Sequence, residues 1–255
     1  MNIQEYDILN AIFTTTNPTQ RSLADCSGHS LGIVNRSIKK LTSDGYLTSS
    51  MQPTDKAIAL YNHSVPQNAI ILAAGFGMRM VPINTETPKG LLEIHGEALI
   101  ERIIRQLHEA NIHNIYIVVG FMKEQYEYLI DEYDVTLIVN ADYASKNNLH
   151  SLNLASEYLK NSYIIPCDIW CKDNPFHTHE LYSWYMVSDT QTNESSVRVN
   201  RKLELTAISK TAIGNAMIGI SYLSENDSSY IQQRLSSLDN DARYDGCFWE
   251  ETLYD

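Results

Sequence analysis

The stretch Ile70–Lys89, reading IILAAGFGMRMVPINTETPK, constrains this chain more than any other, because it runs from an apolar strand into a glycine loop and on to two spaced cations. Ala69–Leu72 is a β-favouring run. It is followed by Ala73, Ala74 and Gly75, whose small side chains let a ligand come close to the backbone after Leu72. Gly75 and Gly77 permit positive φ, so successive N–H groups can converge on phosphate oxygens, and Arg79 adds a charged fork beside them. Lys89 follows Pro88, which holds Thr87 extended and aims a flexible point charge back at the loop. Two glycines alone would serve a turn or a helix C-cap equally well; the cations beyond them make the difference. The stretch is neither the phosphate loop ending in GK[ST] nor the GxGxxG fingerprint, because Met80–Pro82 stands where either would continue. It has the layout of a loop that grips a nucleoside triphosphate.

Charge divides the chain. Residues 1–66 carry five cations (Arg21, Arg36, Lys39, Lys40, Lys56) and five acids (Glu5, Asp7, Asp25, Asp44, Asp55), so the whole formal charge of −12 belongs to residues 67–255. An acidic domain that binds a polyanion needs local cations and a divalent metal, here Mg2+, to offset like-charge repulsion. No run approaches a membrane span and the N-terminus is acidic and amphipathic, unlike a signal peptide, which points to a cytoplasmic protein with no membrane partner. Cys26, Cys167, Cys171 and Cys247 are scattered and read as thiols; Cys171, His177 and His179 lack structural-zinc spacing and read as a surface loop.

Residues 1–62 read as a small winged helix-turn-helix domain. Ile3, Tyr6, Leu9, Ile12 and Phe13 recur at helical spacing, Thr19 and Ser30 stand as helix caps, and Ile33, Val34, Ile38 and Leu41 form a stripe that Gly45 ends. Tyr46–Thr48 and Ala57–Tyr61 read as the two strands of the wing. DNA contact would fall to Asn35, Arg36, Lys39 and Lys40, although the balanced charge equally suits docking or dimerisation. Residues 63–68, with Pro66, read as a linker.

From residue 69 to 255 strand and helix alternate, as in an α/β sheet covered on both faces. Strands are expected at Ala69–Leu72, Ile115–Val119, Val135–Val139 and Ser162–Pro166, with helices at Ala98–Asn111, Phe121–Glu132 and Leu149–Tyr158. Ligands in such sheets sit at the carboxyl ends of strands, where the glycine loop, Gly120 and Asp168 all emerge.

LAAGFGMR followed by TETPKGLLEIHGEALIER resembles the opening of the nucleotidyltransferases that couple an NTP to a phosphorylated small molecule, and within them the bacterial phosphocholine cytidylyltransferases. The resemblance runs from about Asn68 to Asp255 and includes IVVGFMKEQYEYL, NADYASKNNLHSLNLA, IIPCDIW and CFWEE. It implies a mostly parallel, Rossmann-like sheet, CTP as donor, CDP-choline and pyrophosphate as products, and no protein nucleophile. Asp168 matches the family's Mg2+-holding acid and Glu250 its second metal ligand, with Glu251 as a competitor. Arg79 and Lys89 would be catalytic. Leu72, Ala73, Ala74, Gly75, Gly77 and Gly120 would contact the nucleotide by backbone. Asn148 and Ser151 would touch ribose or substrate, unless this stretch only caps the helix over Leu149–Tyr158 through Asn147 or Asn148. A choline headgroup asks for ring faces, for which Trp249, Phe248, Trp170 and Trp184 stand available. Three departures count against full identity with the family. Pro166 replaces a frequent acid, Ser195 stands about where the choline enzymes have Trp, and the chain stops soon after CFWEE. A sugar-1-phosphate or aminoethyl-phosphonate nucleotidyltransferase, or a nucleotide-sensing DNA-binding regulator with a decayed transferase domain, stays as an alternative.

Overall fold

The structure is a computed structural model that describes residues 1–77, 86–193, 195, 197–200, 203–209 and 212–254. It divides into two compact units, residues 1–65 with 179–182, and 66–178 with 183–255.

The first unit begins with three helices, α1 (Ile3–Thr14), α2 (Gln20–Ser27) and α3 (Leu31–Ser43). Each starts at a side chain that satisfies an orphan N–H: Asn2 accepts from Glu5 in a capping box, Thr19 from Ser22, and Ser30 from Ile33. Their apolar stripes meet in one core of Ile8, Leu9, Ile12, Leu23, Val34, Ile38 and Leu41. The expected second wing strand at Ala57–Tyr61 is instead helical, as α4 (Asp55–His63). Thr54 caps it by accepting from the Ala57 N–H, Asp55 favours the positive end of its dipole, and Ala57 is fully buried. What is left of a wing is a single bridge between Leu47 and Pro53.

Four residues distant in sequence complete this unit. His179 stacks on Tyr61 at 3.9 Å, and Tyr61 on Phe13 at 4.0 Å. Tyr182 donates to Asp7 Oδ1 at 2.9 Å while Asp7 Oδ2 holds His29 at 2.8 Å, and Leu181 packs on the core.

The second unit is built on a six-stranded sheet. Strands β1 (Asn68–Ala73), β4 (Asn114–Val119), β5 (Thr136–Val139) and β6 (Ser162–Pro166) are parallel to their neighbours among these four, while β10 (Gly214–Leu223) runs antiparallel to β6 and to the edge strand β7 (Trp184–Thr192). Across the sheet the order is β5-β4-β1-β6-β10-β7. Two short hairpins, β2/β3 (Glu93–Ile94, Glu97–Ala98) and β8/β9 (Val197–Val199, Leu205–Ala207), stand apart. Alternate residues feed opposite cores. Ile71, Ile117 and Ile165 pack on one side with Ile100, Ile103 and Leu107 of α5 (Leu99–Glu109). Ile70, Val118 and Ile164 pack on the other with α7 (Asn148–Leu154) and α8 (Glu225–Asp239).

The helix expected over Phe121–Glu132 is broken. Met122 takes a left-handed φ of 52°, a 3-10 turn covers Lys123–Tyr126, and α6 (Tyr128–Tyr133) comes after it. Burial explains the break, since Tyr126 is inserted fully into the core and the chain must turn to place it. The helix expected over Leu149–Tyr158 ends at Leu154, and a 3-10 turn takes its last residues. No helix among the described residues is long and apolar enough to cross a membrane.

At Gly120, just past β4, a side chain has no room: a Cβ would lie 2.6 Å from Tyr143 Cβ and 2.8 Å from the Ala74 carbonyl, which accepts from the Phe121 N–H at 3.1 Å. Gly120→Ala is therefore expected to destabilise the second unit by about 1–3 kcal/mol, seen as a lower urea midpoint with an unchanged slope. In the first unit, Leu181→Ala in the full chain should cost about 1–2 kcal/mol, less than for a fully buried leucine, and lower hydrogen-exchange protection in α1 and α3.

Candidate active site

Strands β1, β4 and β6 end together, and the backbone after each supplies part of the site. After β1, Leu72 is half-buried, Ala73 and Ala74 are buried, and the chain opens out at Gly75. Of the two glycines only Gly77 takes a positive φ, 69°; at Gly75 a Cβ would meet open space, so its contribution is room rather than torsion. Phe76 packs edge-on against Phe121, ring centres 4.4 Å apart, which ties this loop to the end of β4. Arg79 lies outside the described residues.

Lys89 returns to the site on a 3-10 turn, Lys89–Leu91, that starts after the extended Pro88. Its ammonium reaches Asp168 Oδ2 at 2.9 Å, with both side chains still partly open to solvent. Gly90 makes the reach possible: a Cβ there would stand 3.1 Å from Tyr126 Oη and 3.2 Å from Cys167 Cβ, so the turn lies directly on the residue preceding Asp168. Burial pushes the Cys167 thiol up to about 12, which makes it a core residue and not a nucleophile. The loop after Asp168 is clamped from α5. Arg102 donates to the Cys171 and Lys172 carbonyls at 2.8 Å each, and Gln106 donates to the same Cys171 carbonyl.

The C-terminal segment is held by the KNNLHSL loop. Asn147 donates through its backbone to Asp245 O at 2.7 Å and through its side chain to Gly246 O, and Asn148 Oδ1 accepts from the Trp249 N–H at 2.8 Å. Beneath them Asp239 gathers His150, Asn153 and Lys146. Burial alone would raise the Asp239 carboxyl, but these donors outweigh it and hold it below its usual value. Asn148 therefore has its amide oxygen committed to the turn that carries Glu250. Ser151, 3% exposed, accepts from buried Asn140 at 3.0 Å. The helix itself is capped by Asn147, whose side chain accepts from the Asn148 N–H.

Two of the proposed ring contacts are otherwise engaged. Trp249 is 1% exposed within the core under α7 and α8, so it cannot present a face to a ligand; the motif CFWEE does not tell a core ring from a lining one. Trp170 has the Arg102 guanidinium 4.7 Å over its ring. Phe248 is exposed. Another apolar surface lies along the edge of the sheet: a groove of about 260 Å3 lined by Trp184, Tyr185, Met186 and Val187 of β7 and by Val199 and Leu205 of the β8/β9 hairpin.

Glu250 is 7% exposed. Its Oε1 accepts from Tyr185 Oη at 2.8 Å, while Oε2 has no partner among the described residues. Burial raises the Glu250 carboxyl, and its hydrogen bonds only partly offset this. A buried carboxylate with one bare oxygen is costly unless a cation meets it. Among the described residues no group of three or more His, Cys, Asp or Glu could hold a metal. Two carboxylates with hard oxygen donors nonetheless suit Mg2+, which takes one or two protein acids and completes its shell with phosphate and water. Tyr185 was not foreseen from the sequence, where SWYMV carries no assigned element; only its pairing with Glu250 marks it.

Residues 69–189 match the MobA-like NTP transferase domain family. The choline-phosphate cytidylyltransferase of Haemophilus influenzae is 36% identical over 179 residues, 69% of this chain and 77% of that protein. The 2-aminoethylphosphonate cytidylyltransferase of Lancefieldella rimae is 30% identical over 73% of this chain and 78% of its own. The solved CTP:phosphocholine cytidylyltransferase of Streptococcus pneumoniae superposes with a TM-score of 0.69 at 32% identity, covering 75% of this chain and 85% of that one. With the glycine loop, Lys89 and Asp168 brought to one end of a sheet of the same fold, the chain belongs to the nucleotidyltransferase family of these cytidylyltransferases.

Proposed function

We propose that this protein is a Mg2+-dependent CTP:phosphocholine cytidylyltransferase. The observation that carries the reading is the Lys89–Asp168 pair at the carboxyl end of β6, facing the loop after β1. A phosphate oxygen of the acceptor attacks the α-phosphorus of CTP, the bond from that phosphorus to the β-phosphate oxygen breaks, and pyrophosphate leaves. No protein nucleophile is required, because positioning and charge neutralisation lower the barrier. Lys89 releases Asp168 and turns its ammonium to the α-phosphate and the incoming phosphate. Arg79 holds the β- and γ-phosphates, and the backbone from Leu72 through Gly77, with Gly120, lines the nucleotide. Asp168 and Glu250 would hold Mg2+, which when bound supplies neutralisation of the phosphate oxygens. An activity that consumes CTP also suits a cytoplasmic setting.

The acceptor reading rests on the groove beside β7. A trimethylammonium group donates no hydrogen bond and favours ring faces and apolar walls, whereas a primary ammonium needs acceptors. Trp184, Tyr185, Met186 and Val187 fit the first description, and among the described residues no charged side chain lines the groove. By register, Tyr185 stands opposite Ser221 and thus level with Ile164, close to the end of β6.

For residues 1–62 we infer a helix-turn-helix whose wing is reduced to one bridge. The outer face of α3 exposes Asn35, Arg36, Lys39 and Lys40, but Lys40 is paired with Asp44 at 2.9 Å. With equal numbers of acids and cations, docking to protein is the favoured role over DNA reading.

Pyrophosphate release from CTP with Mg2+ is expected to be fastest with phosphocholine in a panel that includes 2-aminoethylphosphonate and sugar 1-phosphates; preference for the phosphonate would overturn the acceptor reading. Lys89→Ala and Asp168→Ala should each reduce turnover by at least about 100-fold with native circular dichroism, the scale of losing a transition-state charge contact. In a gel shift with the full chain, no salt-sensitive, sequence-selective DNA complex is expected.

A further inference from the structure

Glu250 meets the strand ends through one tyrosine. Tyr185 lies on β7 and pairs with Ser221 of β10, and between Met217 and Ser221 the register of these strands shifts. Within that shift Gly219 adopts a φ of 92°. A Cβ at Gly219 would stand 2.7 Å from Pro166 Cγ and 3.9 Å from Tyr185 Oη. The bulge therefore brings the end of β6, two residues before Asp168, and the tyrosine hydroxyl to the same point. From there Tyr185 Oη donates to Glu250 Oε1 at 2.8 Å, and Oε2 has no partner among the described residues. The backbone of Glu250 is fixed separately, through the Trp249 N–H on Asn148.

We propose that Tyr185 is a positioning residue for the metal centre: its hydroxyl anchors one oxygen of Glu250 so that the other is presented to the divalent cation shared with Asp168. The inference rests on Asp168 and Glu250 being the metal pair, and goes beyond it by assigning the group that orients Glu250. Outer partners of this kind fix the ligand before the cation arrives, so their loss weakens binding without removing a ligand. Pro166 is compatible with the arrangement. Where a second acid would bring another charge, its ring instead packs at Gly219, next to the hydroxyl.

The test measures Mn2+ binding to the full chain by electron paramagnetic resonance of the free ion, with and without CTP. Tyr185→Phe should weaken Mn2+ by about 10-fold or more. In the Glu250→Gln background the same change should add nothing, since the anchored carboxylate is gone. Thermal unfolding checks that the Phe variant is folded, and 4-aminophenylalanine at position 185, which keeps a donor at the same place, should restore affinity. Wild-type affinity in Tyr185→Phe, or an equal loss in both backgrounds, overturns the proposal. Should the wild-type chain take up no Mn2+ even with CTP, or Glu250→Gln bind as tightly as wild type, the metal pair itself fails.

Discussion

Lys89 reaches Asp168 from a turn packed so tightly on the core that a side chain at position 90 would force its neighbours to shift. The turn carrying the lysine lies on Tyr126 and Cys167 so closely that a Cβ at position 90 would stand only 3.1 Å from Tyr126 Oη and 3.2 Å from Cys167 Cβ, so the cation is held by packing that begins in the core rather than by its own flexible stem. Tyr126 is fully buried, and placing it there breaks what would otherwise be one continuous helix after β4. The Lys89–Asp168 pair therefore depends on a chain of contacts: the break in the helix seats the tyrosine, the tyrosine and Cys167 seat Gly90, and Gly90 fixes the approach of Lys89 to the end of β6. The ion pair itself, partly open to solvent, contributes little to stability. Its value is that a cation and a carboxylate wait at one place, each able to exchange its partner for a charge on the incoming ligand.

The same logic applies on the other side of β6, with the opposite balance of burial. Asp168 is exposed enough to be solvated when unbound, whereas Glu250 is taken out of water and left with a bare oxygen. Folding Glu250 into this position costs free energy that Trp249, buried in the adjoining core, helps to offset. Asp239 secures the loop that grips this segment. Its carboxyl is held below the usual value, so its contribution is fully present above about pH 4, the unfolded value, and is lost as pH falls through the lower folded value. Across neutral pH the turn bearing Glu250 is thus held by an ionised anchor that does not titrate.

What the sequence made legible tracks the range of the forces involved. Strands β1, β4, β5 and β6 were readable because they are short apolar runs bounded by turn residues, and Ser162–Pro166 was placed to the residue. Asp168 and Lys89 each sit where a local sequence pattern ends, and the structure pairs their side chains. The antiparallel β7 and β10 were not assigned: their pairing is long-range and their bulge lies at a glycine, which in sequence is only a weak signal of a break. The strand expected at Ala57–Tyr61 failed for a local reason that the sequence did contain, since Thr54 and Asp55 form a helix start ahead of a residue whose small side chain is buried. Trp249 is expected at the substrate because a quaternary ammonium asks for ring faces, but this ring fills the core beside the acid.

Residues 179–182 complete the first unit from a distant part of the chain. Tyr61, the middle ring of a three-ring stack, has Phe13 on one face and His179 on the other, and Asp7 divides its two oxygens between His29 and Tyr182. Residues 1–65 by themselves would leave a ring face and a carboxylate oxygen without partners and Leu181's place in the core unfilled. The segment that fills them lies between β6, which ends just before Asp168, and β7, which carries Tyr185. The helical unit is therefore not a separable appendage in the energetic sense. Its core is completed by chain that the transferase sequence must spend between two of its own strands, and the unit's function is best sought in the intact protein.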